Sequence, residues 1–223
     1  MSNFVKDVID LSIKHKMPHI PSALSMEYLD EILKYIDKDW NISIGKPHGA
    51  QAYFVLFEKY FGVKPKEYNS VLSNESYDFV EYSDFMLGNA LGISIGLSYN
   101  NKKTWCNISD ASLQSGSTLE AIEFIGENRN DILLTVDFNG IQLTKNLSLS
   151  ILDYEDIFEA FGWHTLVIFD KADYLSIENF MNKRGPKAIL FCTKKGNGVK
   201  EMLENPKEWH YKTLKGEDEI TYI

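Results

Sequence analysis

From Lys103 to Thr193 the chain alternates between two kinds of pattern. Four short runs rich in β-branched and aromatic residues, KTWCNIS, ILLTVDF, HTLVIFD and KAILFCT, are separated by GSTLEAIEFIGEN, DYEDIFEAFG and YLSIENFMNKR, whose apolar residues recur at helical spacing. Strands that are apolar on both faces and joined through helices belong in a parallel sheet, because only a crossover helix returns the chain in the same direction. The expected fold is therefore α/β: a doubly wound, mostly parallel sheet with helices on both faces. With 223 residues, 44% of them hydrophobic, the chain can bury one substantial core, and residues 1–223 are expected to form a single domain. Sheets of this kind bind ligands beyond the carboxyl ends of their strands.

The N-terminal third reads as helical. FVKDVIDLSIKH sets Phe4, Val8 and Leu11, with Val5 and Ile9 less regularly, on one face. SMEYLDEILKYI predicts a second helix capped by Ser25, with Glu27 and Asp30 at its positive end. GAQAYFVLFEKYFG predicts a third, ending at Gly62 with Pro65 just beyond, and MLGNALGISIGLSYN a fourth whose small residues permit close approach.

The net charge of −9 argues against nucleic acid as the main partner, since polyanion binding needs a clustered basic surface. The first residues lack a basic segment followed by an apolar run, and no run is long enough to span a bilayer, so a cytoplasmic chain without a membrane partner is expected. Cys106 and Cys192, both in apolar runs, are expected as buried free thiols, and the absence of CxxC or CxxH pairs argues against zinc.

The chemistry-bearing residues fall at strand ends. Asp110 follows KTWCNIS, and Asp137 and Asn139 close and follow the next run, one crossover later. Two hard oxygen ligands and a backbone carbonyl on adjacent strand ends would suit magnesium or calcium, with room for diphosphate oxygens. The same residues also read as a helix cap, a turn-closing acid and an Asn-Gly αL turn, and spacing alone leaves both readings open.

The order of segments resembles the N-terminal half of transketolase, the part that holds the diphosphate of thiamine diphosphate. The family's GDG, LQEG, WEA and DNNGxQ frame is similar to Ser109-Asp110-Ala111, Leu113-Gln114-Ser115-Gly116, Leu119-Glu120-Ala121 and Asp137-Phe138-Asn139-Gly140-Ile141-Gln142. ISIGKPHGAQAY resembles LSKGHAAxALY through Lys46 and His48, and MPHIPSALS resembles GHPGGxLS through His19, Leu24 and Ser25. MLGNALGISIGLS is similar to PLGQGLxxAVGMA through Leu87, Gly88 and Gly96. FEAFGW with FDKAD is similar to FEALGW with DGHD. CTKKGNGVKEMLENPKEWHYK resembles TxKGKGVxFMENxxxWHGK through Trp209 and His210.

This resemblance implies that thiamine diphosphate and Mg2+ or Ca2+ are the cofactors, with Asp110, Asn139 and the Ile141 carbonyl as metal ligands. It implies that Ser109, Asp110, Ala111, Leu87 and Asn139 contact the cofactor. His19, His48 and His210 fall at positions the family uses near the thiazolium and the sugar hydroxyls, where an imidazole can donate to a developing alkoxide or move its proton. His15 and His164 match nothing and are read as structural. The implied activity is transfer of a two-carbon ketol unit from a ketose to an aldehyde acceptor. The pyrimidine-binding domain of the family has no counterpart here, so a separate subunit carrying it, in an α2β2 assembly, is the expected partner, and sugars or sugar phosphates are the expected substrates.

The sequence also departs from the family pattern. Ser109 and Ala111 replace both glycines around Asp110, Ser115 replaces a Glu, and Phe85 stands where a glycine is usual. Val71 to Ser83 is short and lacks the family's GHP histidine, which points to an unusual acceptor such as a larger or nucleotide-linked keto sugar. Alternatives are a deoxyxylulose-phosphate synthase-like or 2-oxoacid dehydrogenase-like subunit, or a non-catalytic subunit that keeps the fold without the cofactor.

Overall fold

A computed structural model describes residues 3–100, 102–142 and 145–223. In chain order it contains α1 (Asn3–His15), α2 (Ile20–Leu24), α3 (Leu29–Ile32), β1 (Asn41–Ile44), α4 (Ala50–Phe61), β2 (Val80–Ser83), α5 (Asn89–Ser98) and β3 (Thr104–Ser109). There follow α6 (Gly116–Asn128), β4 (Ile132–Phe138), β5 (Ile141–Gln142), β6 (Lys145–Asn146), α7 (Ile151–Ala160), β7 (His164–Ile168), α8 (Ile177–Met181), β8 (Lys187–Cys192) and α9 (Lys200–Glu204). By internal contacts the chain divides into two compact units, residues 1–37 with 47–77 and 193–223, and residues 38–46 with 78–192.

In the first unit, α1 buries Phe4, Val5, Val8, Ile9 and Ser12 and packs against α4. Helix α4 stops where Gly62 takes a left-handed conformation, φ 67°, and its N–H caps the Glu58 carbonyl, as the Gly62-Pro65 pattern predicts. Phe54, Phe57 and Tyr77 form tilted or edge-to-face ring contacts beneath it. The expected long helix from Ser25 is a correction. The chain instead makes α2, a 3-10 turn over Ser25–Tyr28, and α3. Ser25 is itself helical and its hydroxyl donates to the Ser22 carbonyl, so it continues the preceding turn rather than capping a new one.

In the second unit, six strands among the described residues form one sheet in the order β2-β1-β3-β4-β8-β7, with every neighbouring pair parallel. The α/β parallel sheet is as expected, and all four apolar runs are its strands; β1 and β2 are additional. Ile108, Val136, Ile122, Phe158 and Leu190 belong to one buried cluster, and Trp105, fully buried, donates from Nε1 to Thr135 Oγ1 at 2.9 Å. Cys106 is buried as expected, but Cys192 is exposed, because it is the last residue of β8 and the apolar burial ends one residue before it. Among the described residues no helix is long and apolar enough to cross a membrane.

The order of strands determines where a ligand can enter. From β1 the sheet extends to β2 on one side, and from β3 to β4 on the other, so the winding reverses between β1 and β3. The crevice at such a reversal is the usual ligand site of an open parallel sheet. Lys46 follows β1, Asp110 follows β3, and Asn139 follows β4.

Candidate functional site

In the second unit, the ends of β3 and β4 meet at the Asp110 carboxylate. Its Oδ2 accepts from the backbone N–H groups of Asn139 at 2.9 Å and Gly140 at 2.7 Å, and its Oδ1 accepts from the Ala111 N–H at 2.8 Å. Gly140 reaches this arrangement through a left-handed backbone, φ 73°, which lets consecutive N–H groups point the same way. Burial pushes the Asp110 carboxyl up. The Gly140 N–H, the Lys46 charge and the Ala111 and Asn139 N–H groups pull against that shift.

Asp137 and Lys46, both nearly inaccessible, form an ion pair. Asn139 Nδ2 donates to Asp137 Oδ2 at 3.5 Å, and Asn139 Oδ1 accepts from the Ile141 N–H at 3.1 Å. A carboxylate offers about four lone-pair positions and an amide oxygen two. Asp110, with three N–H donors, and Asn139 Oδ1, with one, therefore each keep a lone pair for a cation. Among the described residues no group of three or more His, Cys, Asp or Glu side chains converges as a metal cluster. The donor set here is instead one carboxylate, one amide oxygen and backbone, which suits a hard cation sharing its shell with diphosphate.

In the first unit, the three predicted histidines come together from distant segments. The His19 ring centroid lies 4.8 Å from that of His210 and 6.0 Å from that of His48, and His48 and His210 are 6.5 Å apart. His19 begins α2 with φ 64°, and its N–H donates to the His210 carbonyl at 3.2 Å. Among the described residues, Nδ1 of His19 and Nδ1 of His210 are buried without a hydrogen-bond partner. His15 instead stacks on Tyr68 at 4.2 Å.

Burial, the Lys195 charge and His19 lower the His210 pKa to about 4, and burial and Lys195 also lower that of His19. His210 is thus a neutral imidazole near pH 7, suited to hydrogen bonding rather than to carrying charge. Below the ordinary histidine pKa, the unfolded chain takes up protons that the folded cluster refuses. Stability is therefore full above about pH 6.5 and falls as the pH drops toward 4. Urea titrations at pH 7.5 and 5 are expected to differ by about 1–2 kcal/mol from this cluster, and His210→Phe should flatten the difference.

Residues 93–222 match the family model for the transketolase thiamine diphosphate binding domain. The chain belongs to this family. Transketolase of Mus musculus is 30% identical over 151 residues, covering 61% of this chain and 23% of the relative. Transketolase-like protein 1 of Bos taurus is 27% identical over 176 residues, covering 73% and 29%. The crystal structure of Campylobacter jejuni transketolase superimposes with a TM-score of 0.78 at 17% identity, over 97% of this chain and 40% of that one. This transketolase-family chain therefore spans about a quarter of the length of the curated relatives it matches.

The other predicted residues of the transketolase domain are more peripheral. Ser109 is buried, with its hydroxyl 3.5 Å from that of Ser112, and the Ala111 N–H is turned to Asp110. Leu87 is exposed beside Phe85 and Met86, just before Gly88 begins α5. Ile141 enters the site through its N–H on Asn139. Two residues of the histidine cluster escaped the sequence reading. Lys195 lies in the matched CTKKGNGV segment but carries no pattern of its own. The Tyr211 ring lies 4.5 Å from His210 and 5.4 Å from His19, where the resembling motif has glycine.

Proposed function

We propose that this chain is the diphosphate-binding component of a two-component, transketolase-type enzyme, completed by a separate subunit with a pyrimidine-binding domain in an α2β2 assembly. Asp110 Oδ1 or Oδ2, Asn139 Oδ1 and the Ile141 carbonyl would hold Mg2+ or Ca2+, with the diphosphate beside them. The observation that carries this reading is the convergence of Asp110 with the Asn139-Gly140 turn, at the reversal point of the sheet, in a transketolase-family domain. When bound, thiamine diphosphate supplies the nucleophilic carbon and electron sink for cleavage beside a ketose carbonyl.

The chain's own residues then bind and orient. Asp110 and Asn139 would fix the cation, and the imidazoles of His19, His48 and His210 would hydrogen-bond sugar hydroxyls and the oxygen on which charge develops as the carbon–carbon bond breaks. An exposed apolar and small-residue surface supports the partner: α5 packs on α6, Phe85, Met86, Ile93 and Phe124 are exposed, and Gly92 and Gly96 face open space. The acceptor is proposed to be an unusual aldehyde or a larger or nucleotide-linked keto sugar, and the setting cytoplasmic.

Combining this chain with its partner, thiamine diphosphate and Mg2+ is expected to give ketol transfer that neither chain gives alone. Activity of this chain by itself would overturn the two-component reading. Calorimetry on the complex should detect thiamine diphosphate with Mg2+, and Asp110→Ala should weaken it at least 100-fold. A second reading, a non-catalytic subunit, is favoured by Ser109 and Ala111 in place of small-motif glycines; absence of cofactor binding by the wild-type complex would select it.

A further inference from the structure

We infer that the buried Lys46–Asp137 pair is a positioning device that dictates which end of the Asn139 amide faces the cation. This inference rests on the proposed cofactor reading and adds two residues to it.

A side-chain amide has two ends of similar shape and opposite polarity, and an isolated Asn can present either. Here each end meets a group that accepts or donates in one direction. The carboxylate of Asp137, paired with the Lys46 ammonium, is an acceptor, so the end of Asn139 beside it must be the NH2. The Ile141 N–H is a donor, so the opposite end must be Oδ1. Oδ1 is thereby fixed as the end opposite the one on Asp137, and under the cofactor reading it is the oxygen offered to a cation held by Asp110.

Lys46 balances Asp137, which is fully buried at the end of β4, and so steadies the carboxylate that orients the amide. Neither Lys46 nor Asp137 is itself a ligand. Supporting groups of this kind are worth about 10–100-fold in metal affinity.

The test uses the full chain in its complex, with Mn2+ and thiamine diphosphate as the probe and bound Mn2+ read by electron paramagnetic resonance. The double variant Lys46→Met with Asp137→Leu removes both charges together and is expected to keep the wild-type melting temperature within a few degrees. Its Mn2+ affinity should fall at least 10-fold. Asn139→Asp supplies a second test without touching the buried pair. It offers the cation a harder, anionic ligand, yet sets a carboxylate against Asp137, so a fall of at least 10-fold is expected there too. Wild-type Mn2+ affinity in a folded double variant, or unchanged or tighter binding in Asn139→Asp, would overturn the inference. The outcome for Asp110→Ala separates the two levels: retained Mn2+ binding there defeats the cofactor reading itself, whereas loss there with retention in the other variants defeats only the positioning role.

Discussion

Lys46→Met alone is expected to be among the most destabilising single substitutions in this chain, at about 3–5 kcal/mol. Lys46 and Asp137 are almost wholly removed from solvent, and their pairing replaces hydration that neither can recover inside the sheet. Taking away the ammonium leaves the Asp137 carboxylate without its countercharge in a low-dielectric setting, which costs more than the pair itself contributes. A drop in melting temperature of roughly 10 °C should follow. Adding Asp137→Leu to Lys46→Met should restore most of the loss, because an apolar pair has no hydration to replace. A single variant as stable as the double one would show that the charge at Asp137 is met in some other way.

Gly49→Ala is expected to cost about 2–4 kcal/mol and to disturb the histidine cluster. Two conditions hold at once at this residue. Its φ of 87° lies where a side chain is strained, and an added Cβ would sit 2.8 Å from the Ala23 backbone nitrogen and 3.0 Å from the Ser22 carbonyl carbon. The chain must shift on one side of the contact, and those sides are His48, next to Gly49, and the helix α2 that begins at His19. Urea denaturation measures the first effect. The second should appear as altered imidazole resonances of His19 and His48 in the folded variant. Gly62→Ala serves as the comparison, since it has a similar φ of 67° but open space around the added carbon, and should show strain without the clash.

The sheet was legible in the sequence where its strands are long and apolar. KTWCNIS and ILLTVDF could hardly be anything else. The strands β1 and β2 were not legible, for physical reasons. NISI is four residues with a buried serine and asparagine whose polar atoms are satisfied only by distant partners, Ser43 by the Ala90 carbonyl and Asn41 by Leu97, Asn100 and Thr104. VEYS is an edge strand with an exposed glutamate, so it lacks an apolar pattern. The break at Ser25 was hidden because the 3.6-residue period persists through a change of helix type. Ordered family motifs, rather than spacing, pointed to the three histidines, which lie far apart in the chain. The pairing of Lys46 with Asp137 had no signal, because a partner across two strands leaves no local trace.

The conformation of His19 carries a consequence for how the protein is made. A non-glycine residue at φ 64° pays roughly 1–2 kcal/mol for its left-handed backbone. What holds it there is a carbonyl belonging to His210, one hundred and ninety-one residues later in the chain. Until the segment around His210 has been made, His19 lacks the carbonyl that its N–H meets in the folded chain. A chain that stops before His210 can therefore fold in part and still lack the trio of histidines.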